Sequence, residues 1–342
     1  MSKTARLAAI TTAILTGIAG VAHADPVADF YKGRQINMII AHEVATGYDI
    51  YARALARHIG RHIPGNPTLV PQNMLGASGI TGANVLFNVS PKDGSAIGTF
   101  AHTVPLDPLI GQGAAKFDPS KFNYLGNMEE SVGVCAVTAD AGIANLAALK
   151  EKETRFGATA TTGPPSQMAA AVKNLLGGKV RLVHGYKGAP GVKLAMEKGE
   201  VDGTGTTWNT LKINRKAWLD EKKVSILVQY ARKRAVDLPD VPAAVELGRS
   251  ADDRALLDFY MGGAEVGRAF LAPPGLEAQR IAELRTAFDA AMKDPELLAE
   301  IQRANAEFSP LTGAELQGIV AATLAVKPEV AAQVKQVLQS GR

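Results

Sequence analysis

Two loops that follow apolar segments carry the residue types that could bind a small anion. The first loop, 42–48, follows an apolar run, and Asp49 can cap the helix behind it. The second loop, 75–77, follows an extended segment, and Ser78 can start the next helix. The first turn of a helix has N–H groups without partners and a partial positive charge of about half a unit. Two such helix starts beside each other predict a site for a small anion.

A third short strand brings two more polar residues to the same edge of the predicted sheet. The apolar segment 96–101 ends in His102 and Thr103, and the carboxyl ends of parallel strands meet at one edge. His42 also follows a strand end. Each histidine is therefore a candidate ligand contact, and a structural hydrogen bond is the alternative interpretation.

Two further histidines have a spacing that is found in zinc sites. His58 and His62 lie four residues apart on one predicted helix. They do not form the pattern His-Glu-x-x-His, and Arg57 and Arg61 lie beside them. We interpret the pair as part of a solvated helix face, and the sequence predicts neither a metal site nor a cofactor.

The amino terminus is typical of an exported protein. Lys3 and Arg6 precede the apolar stretch 7–21, and a small-x-small pattern ends at Ala24. The stretch is shorter than the roughly 20 residues that a membrane span needs. We therefore expect residues 1–24 to be a signal peptide that is cleaved after Ala24, and the protein itself not to span the membrane.

Charge and motif content argue against other classes of protein. The formal net charge of +4 falls to +2 without Lys3 and Arg6, and the basic residues are scattered, so we predict no nucleic-acid surface. The chain contains neither Gly-x-Ser-x-Gly nor a P-loop, and its single cysteine lies in an apolar run. An exported enzyme that uses His42, Glu43 or His102 as acid and base remains the alternative.

Strands alternate with single helices along most of the chain. In the second region of alternating strands and helices, which begins near residue 142, the predicted strands are 155–159, 180–183, 201–205 and 224–230. Such alternation indicates an α/β fold with parallel or mostly parallel sheets that helices cover on both sides. After residue 238 helices dominate, and we expect this part to pack back across the first domain.

Short motifs in a fixed order run along the mature chain. They are Thr46-Gly47-Tyr48-Asp49, Asn73-Met74-Leu75-Gly76-Ala77, Pro91-Lys92-Asp93-Gly94, Tyr186-Lys187-Gly188, Gly199-Glu200-Val201-Asp202-Gly203 and Leu238-Pro239-Asp240-Val241-Pro242. Their order resembles that of the substrate-binding proteins of tripartite tricarboxylate transporters, the Bug family. The resemblance implies a two-domain periplasmic binding protein, with two mostly parallel sheets flanked by helices and a ligand cleft between the domains. We assign residues 25–125 and 232–342 to domain 1 and residues 126–231 to domain 2.

The resemblance also implies a function. A receptor of this kind captures a small organic carboxylate in the periplasm and delivers it to a two-subunit membrane permease, as a monomer and without a cofactor. The alternatives are an exported enzyme that acts on a small organic acid and a periplasmic partner that presents its ligand to a sensor.

Carried over by position, the carboxylate-binding loops of the family are 44–49 and 75–79. The first loop departs from the common Pro-Gly-Gly start of the family, because Val44-Ala45-Thr46 stands there directly after Glu43. We expect few cationic residues near these loops, and together with the aromatic Tyr48 and Trp208 this favours a ligand with one carboxylate and an uncharged or aromatic remainder. The predicted ligand-binding residues are Val44, Ala45, Thr46, Gly47, Tyr48, Asp49, Gly76, Ala77, Ser78, Gly79, His102, Thr103, Thr159, Thr161, Thr162 and Trp208.

Overall fold

The computed structural model describes residues 26–110, 113–159 and 163–339. The predicted signal peptide 1–24, with its cleavage site after Ala24, lies outside the described residues. In chain order, the strands are β1 (Gln35–Ile40), β2 (Thr68–Asn73), β3 (Ala96–Thr99), β4 (Asn123–Asn127), β5 (Gly133–Thr138), β6 (Thr154–Gly157), β7 (Val180–Val183), β8 (Gly203–Thr207), β9 (Val224–Tyr230), β10 (Ala269–Ala272) and β11 (Leu311–Thr312).

Fourteen α-helices connect and cover these strands within the described residues. They are α1 (Pro26–Tyr31), α2 (Gly47–His58), α3 (Ile80–Asn88), α4 (Asp107–Ile110), α5 (Leu146–Glu151), α6 (Pro164–Asn174), α7 (Gly188–Glu197), α8 (Trp208–Asn214), α9 (Lys216–Asp220), α10 (Ala251–Val266), α11 (Ala278–Ala291), α12 (Pro295–Arg303), α13 (Gly313–Leu324) and α14 (Pro328–Gln339).

The strands form two separate sheets. The first sheet has the order β11-β4-β10-β3-β1-β2, and the second has the order β7-β6-β8-β5-β9. β1 pairs with β2 and β3 in parallel, and β6 pairs with β7 and β8 in parallel. The pairings of β4, β5, β9, β10 and β11 are antiparallel. The two-sheet α/β architecture is confirmed, but the sheets are mixed and not mostly parallel. The parallel pairs are confined to the strand-helix-strand units β1 to β3 and β6 to β8, whose crossover helices allow parallel pairing.

Each sheet has its own apolar core. Ile36, Met38 and Ile40 alternate into the first core, where they meet Phe270 and Phe288. In the second core, Cys135 packs with side chains of α6, α10 and α14. Burial raises the pKa of the Cys135 thiol, which makes this side chain inert as a nucleophile. The chain passes from the first sheet to the second after β4 and returns to the first sheet between β9 and β10. The exact domain boundaries remain a prediction.

The interpretation of His58 and His62 as a solvated face is wrong. His58 is 8% exposed, because α12 packs against α2 and brings acidic residues from far along the chain. The Nε2 atom of His58 lies 2.8 Å from Glu300 Oε2, and the Nε2 atom of His62 lies 2.8 Å from Asp294 Oδ2. Both rings therefore belong to a polar network that joins the end of α2 and the turn 59–62 to the start of α12, and in which Arg57 and Arg61 form the ion pairs.

Part of this network has the composition of a metal site. Ligand atoms of His58, Asp294 and Glu296 lie within 4.8 Å of one another. Arg61 Nη2 lies among them, 2.5 Å from His58 Nδ1 and 2.7 Å from Glu296 Oε2. A guanidinium in this position supplies the positive charge that a metal would supply, so the cluster is explained as ion pairing.

Candidate ligand-binding site

A cavity of about 410 Å³ lies where loops of the first sheet face loops of the second. Its two sides are called the first wall and the second wall. The first wall consists of Ala41, His42, Glu43, Thr46, Gly47, Tyr48, Leu75, Gly76, Ala77, Ser78, Gly79 and His102. The second wall consists of Thr159, Pro164, Pro165, Met168, Gly185, Tyr186, Lys187, Gly188, Ala189, Thr206, Thr207 and Thr210.

Thr46 and Asp49 fix the first loop. Thr46 is the N-cap of α2, because its Oγ1 accepts a hydrogen bond from the N–H of Asp49 at 3.4 Å. The same hydroxyl donates to the carbonyl of Glu43 at 2.9 Å. The Asp49 carboxylate accepts from the N–H of Ala45 at 3.0 Å and from Arg53 Nε at 2.9 Å. The predicted cap at Asp49 is therefore wrong, and this side chain holds the loop from behind.

The backbone of both loops has left-handed residues. In the second loop, φ is +140° at Gly76 and +99° at Gly79, and it is also positive at Ala77 (+45°) and Ser78 (+54°). In the first loop, Ala45 has φ +64°. Residues other than glycine rarely adopt positive φ, because the Cβ atom then crowds the backbone. Such backbone strain persists where the surrounding structure imposes it, often at binding sites. The prediction that Ser78 starts the next helix is wrong, because Ser78 lies within a 3₁₀ turn and α3 begins at Ile80 with Gly79 as its N-cap.

Tyr48 lies between the two histidines of the first wall. Its ring stacks on that of His42, with centroids 3.9 Å apart and an angle of 3° between the planes. Its Oη accepts a hydrogen bond from the N–H of His102 at 3.0 Å and lies 3.0 Å from His102 Nδ1. We infer that the Oη proton is donated to Nδ1, which leaves the ring proton of His102 on Nε2.

Both histidines are neutral near pH 7. Burial lowers the pKa of His42 to about 3, and Arg268 and His102 act in the same direction. Burial also lowers the pKa of His102 to about 3, with Arg268 as the second cause. His42 Nε2 is buried and has no hydrogen-bond partner among the described residues. The first wall therefore offers neutral imidazoles, which can form hydrogen bonds to a ligand.

A buried ion pair lies beneath the first wall. Arg268 directly precedes β10 and its side chain is 1% exposed, with Nε 2.6 Å from Oε2 of the fully buried Glu129. The guanidinium carbon lies 4.6 Å from the centroid of the Tyr48 ring and 5.1 Å from that of Tyr51. A Cβ atom on Gly47 would lie 2.7 Å from Arg268 Nη2. The guanidinium thus lies directly against the first loop.

Each member of this pair affects the pKa of the other. Burial raises the pKa of Glu129 to about 7, against the opposing effect of Arg268. Burial is the largest single influence and lowers the pKa of Arg268, but the charge of Glu129, the neighbouring Tyr48 and Tyr51 and the hydrogen bond to Glu129 together raise the pKa overall. Arg268 consequently stays charged and contributes a positive potential to the cavity.

Arg268 also contacts the second wall. Its Nη2 donates a hydrogen bond to Thr207 Oγ1 at 3.2 Å. Thr207 is the N-cap of α8, and its Oγ1 accepts from the N–H of Thr210 at 3.2 Å. The two threonine Oγ1 atoms lie 2.7 Å apart. One buried cation is therefore connected to both sides of the cavity.

Glu43 reaches from the first wall to the second. Its Oε2 lies 2.7 Å from the position that a Cβ on Gly188 would take, and Gly188 is the first residue of α7. The first turn of a helix carries N–H groups and partial positive charge, which stabilise a carboxylate there. This orientation reduces the repulsion between Glu43 and an anion bound at the first loop.

The predicted ligand-binding residues fall into three groups. The residues that line the cavity are Thr46, Gly47, Tyr48, Gly76, Ala77, Ser78, Gly79, His102 and Thr159. The described residues that do not line it are Val44, Ala45, Asp49, Thr103 and Trp208. Thr161 and Thr162 lie outside the described residues.

Two residues of the second group are oriented away from the cavity. Val44 is 61% exposed to solvent. Trp208 is 8% exposed and packs with Val134 and Leu211, while its Nε1 donates to Asp237 Oδ2 at 2.6 Å. Its neighbours therefore place Trp208 in a small apolar core.

Sequence reasoning did not find Arg268, Thr207 and Thr210. The signal for Arg268 is a charged residue directly before an apolar strand, and the signal for the threonines is a strand end rich in hydroxyl groups. Neither signal identifies a partner, because the contacting segments are far apart in sequence. The expected scarcity of cationic residues near the loops is wrong, since Arg268 lies against Gly47 and Lys187 lines the second wall.

Comparisons with known proteins address both family and fold. The model of the family described as "Tripartite tricarboxylate transporter family receptor" matches residues 51–328. The "UPF0065 protein in gbd 5'region" of Cupriavidus necator is 26% identical over 302 residues, which are 85% of this chain and 84% of that protein. In the described part of the chain, no helix combines the length and the apolar character that a membrane crossing needs.

Solved structures have the same architecture. MatC from Rhodopseudomonas palustris with bound malate aligns with a TM-score of 0.68 at 17% identity, over 90% of this chain and 99% of that chain. A second R. palustris protein, solved with adipate, aligns with a TM-score of 0.68 at 19% identity, over 89% of this chain and 97% of that chain. These likenesses confirm the predicted fold, that of a two-domain binding protein.

Proposed function

We propose a function from one premise: the chain belongs to the family of tripartite tricarboxylate transporter receptors. The protein captures a small organic carboxylate in the cavity between its two walls and delivers it to a two-subunit membrane permease. Malate and adipate, the acids named for the two R. palustris structures, belong to this chemical class. The family that the motifs predicted is confirmed by the family model.

The observation that supports carboxylate capture is the position of the α2 amino terminus. Gly47 and Tyr48 occupy its first turn and line the cavity, and N–H groups of a first turn have no intrahelical partners. The charged Arg268 lies directly behind Gly47. A helix start with a cation beneath it favours an anion, and each charge-assisted hydrogen bond contributes about 1.5 to 3 kcal/mol.

The histidines support a receptor over an enzyme. A general acid or base works best when its pKa is close to the working pH. Burial lowers the pKa of His42 and of His102 to about 3, so neither ring exchanges a proton readily near pH 7. We therefore propose binding without catalysis.

We propose that the protein reaches the periplasm by means of residues 1–24, with cleavage after Ala24, and acts there as a monomer. Domain 1 comprises residues 25–125 and 232–342, and domain 2 comprises residues 126–231. The passage of the chain between the sheets after β4 and after β9 supports this division. Closure of the two walls on the ligand would then bend these two connections.

A thermal-shift screen of the mature protein tests the proposal. The ligands are aliphatic mono- and dicarboxylates, aromatic acids, amino acids and neutral amides, and each positive result is measured by calorimetry. A ligand that binds only the folded state adds about 2.7 kcal/mol of stability at a hundredfold excess over its Kd. We expect a carboxylate to raise the Tm and to be recovered unchanged.

A pair of matched variants locates the site. Ala189 lines the second wall, whereas Ala299 is exposed on α12. Ala189→Trp fills the cavity and should abolish the calorimetric signal, and Ala299→Trp should leave it unchanged. Binding only of neutral or cationic compounds, or chemical conversion of the acid, would contradict the proposal.

A further inference from the structure

Glu43 places a negative charge inside the cavity. Its side chain lines the cavity, is half-buried and packs on Gly188, with Oε2 2.7 Å and Cγ 3.2 Å from the position that a Cβ on that glycine would take. Among the described residues, none forms a hydrogen bond or an ion pair with this carboxylate, since the bonds from Thr46 go to the Glu43 carbonyl. The carboxylate can therefore accept hydrogen bonds from a bound molecule.

The starts of α6, α7 and α8 lie on the second wall, and each has a feature that disfavours a second anion there. α6 begins with Pro164 and Pro165, which have no N–H, and the next N–H of this helix bonds to the carbonyl of its N-cap residue. The start of α8 is capped by its own Thr207. The start of α7 faces the carboxylate of Glu43. A second carboxylate on a ligand would thus meet a carboxylate of the protein.

Two cations lie near the cavity, and neither is in contact with Glu43. Lys187 lines the second wall, but it is exposed to solvent and forms no ion pair within the described part of the chain. Arg268 lies behind Gly47 and is paired with Glu129. A cationic group of a ligand would therefore give Glu43 a partner that the described residues do not supply.

We propose that Glu43 is a specificity-determining residue that accepts hydrogen bonds from an ammonium group, so that the ligand is a carboxylic acid that also carries an amine. This inference rests on the proposed function, which places the carboxylate of the ligand at the α2 amino terminus. The zwitterion keeps that carboxylate and directs its cationic end to Glu43. A hydrogen bond between opposite charges is strengthened, whereas a second carboxylate in the same place is repelled.

Calorimetry with sets of matched acids tests this assignment. Within each set the chain length is constant, and the far end is an ammonium, a methyl or a carboxylate group. The sets are β-alanine, butanoate and succinate; γ-aminobutyrate, pentanoate and glutarate; and δ-aminovalerate, hexanoate and adipate. Comparison of α-aminobutyrate with butanoate covers an ammonium group beside the carboxylate.

We expect a preference for the amine in at least one of these comparisons. The amino acid should bind about tenfold more tightly than the acid that ends in methyl, as one charge-assisted hydrogen bond allows. Where the set contains a diacid, the amino acid should also bind more tightly than the diacid, because the charge at the far end then has the same sign as that of Glu43.

A substitution that removes only the charge assigns the preference to this residue. Glu43→Gln keeps the shape of the side chain, so we expect the ratio between amino acid and methyl-ended acid to fall toward one and the affinity for the diacid to rise. Glu329→Gln is the matched control, because Glu329 is exposed on α14 and belongs to neither wall. This control should keep the wild-type ratios, and thermal melting checks that both variants are folded.

The outcomes separate the two proposals. If acids bind but the amino acid has no advantage in any comparison, or if Glu43→Gln keeps the wild-type ratios, the inference is wrong and the proposed function stands. A diacid that binds most tightly in every set would also overturn the inference alone. If no carboxylate of any kind binds the wild-type protein, the proposed function is wrong and this inference is overturned with it.

Discussion

The two walls of the cavity present different chemistry to a ligand. On the first wall, the polar groups are backbone amides at the start of α2 together with the side chains of Glu43, Tyr48 and the two neutral histidines. On the second wall, they include the hydroxyls of Thr206, Thr207 and Thr210 and the amine of Lys187. The first wall therefore combines a helix start with uncharged rings, whereas the second wall carries hydroxyl groups and a lysine.

The backbone conformations of the walls differ in the same way. Ala77 and Ser78, which have positive φ, line the first wall, and Ala45 in its loop also has positive φ. The positive φ values on the second wall occur at Gly185 and Gly188, which adopt them without strain. Among the described residues of the two walls, the non-glycine residues with positive φ therefore lie on the first wall, and the second wall has positive φ at glycines alone.

Replacement of Arg268 should produce the largest effect, because this residue contacts both walls. Arg268→Met leaves Glu129 buried without its partner, and breaking a buried pair costs about 3 to 5 kcal/mol. The free energy of unfolding, measured by urea denaturation, should fall by that amount. Ligand affinity should fall as well, since the cation behind Gly47 and the donor to Thr207 are lost together.

The double variant Arg268→Met with Glu129→Gln serves as the control. Replacing both members removes the unpaired charge, so most of the lost stability should return. Ligand affinity should not return, because the positive charge is still absent. A single variant that loses less than about 1 kcal/mol, or a double variant that regains full affinity, would show that the walls do not depend on this pair.

Local sequence patterns predicted the first wall well and the second wall poorly. A glycine-containing loop after an apolar run is a local signal, and Gly47, Gly76 and Gly79 do line the cavity. The contacts of Arg268 with Glu129 and Thr207 join segments from different parts of the chain, so no short pattern contains them. The same limit explains why the burial of His58 by α12 was missed.

Trp208 illustrates the opposite error. Its position after a strand end predicted a place beside the ligand, but a residue after a strand can turn toward the cavity or toward the core. Contacts with Leu211 and Asp237 show that the Trp208 side chain lies in the core. The next residue along the sequence that lines the cavity is Thr210. A strand end thus predicts where a site lies better than it predicts which side chain faces it.

Lowering the pH should destabilise the folded protein through the two histidines of the first wall. In an unfolded chain their pKa is about 6.5, whereas burial lowers it to about 3 for His42 and for His102 in the folded protein. Their neutral form therefore stabilises the fold fully above pH 6.5, and this contribution is lost as the pH falls toward 3. When the pH falls from 6.5 to 5, each histidine should lower the free energy of unfolding by about 2 kcal/mol.

Urea denaturation at pH 7.5 and pH 5 measures this loss. His102→Asn retains an acceptor for the Tyr48 hydroxyl and removes one titrating ring, so about half of the pH-dependent loss should disappear. His42→Gln should remove a similar share. If both variants keep the wild-type pH dependence, the destabilisation arises elsewhere and the neutral imidazoles do not distinguish the first wall from the second.

The smallest effect is expected from relieving the backbone strain of the first wall. Ala45 has φ +64° at a position where members of the family commonly have glycine. An alanine in the left-handed region costs about 1 to 2 kcal/mol. Glycine removes that cost but adds about 0.5 to 1 kcal/mol of chain entropy to the unfolded state. Ala45→Gly should therefore stabilise the protein by up to about 1.5 kcal/mol, whereas Ala299→Gly on the exposed face of α12 should destabilise it by about 1 kcal/mol. If urea denaturation shows that both substitutions destabilise equally, the loop around Ala45 is relaxed, and the two walls do not differ in backbone strain at this position.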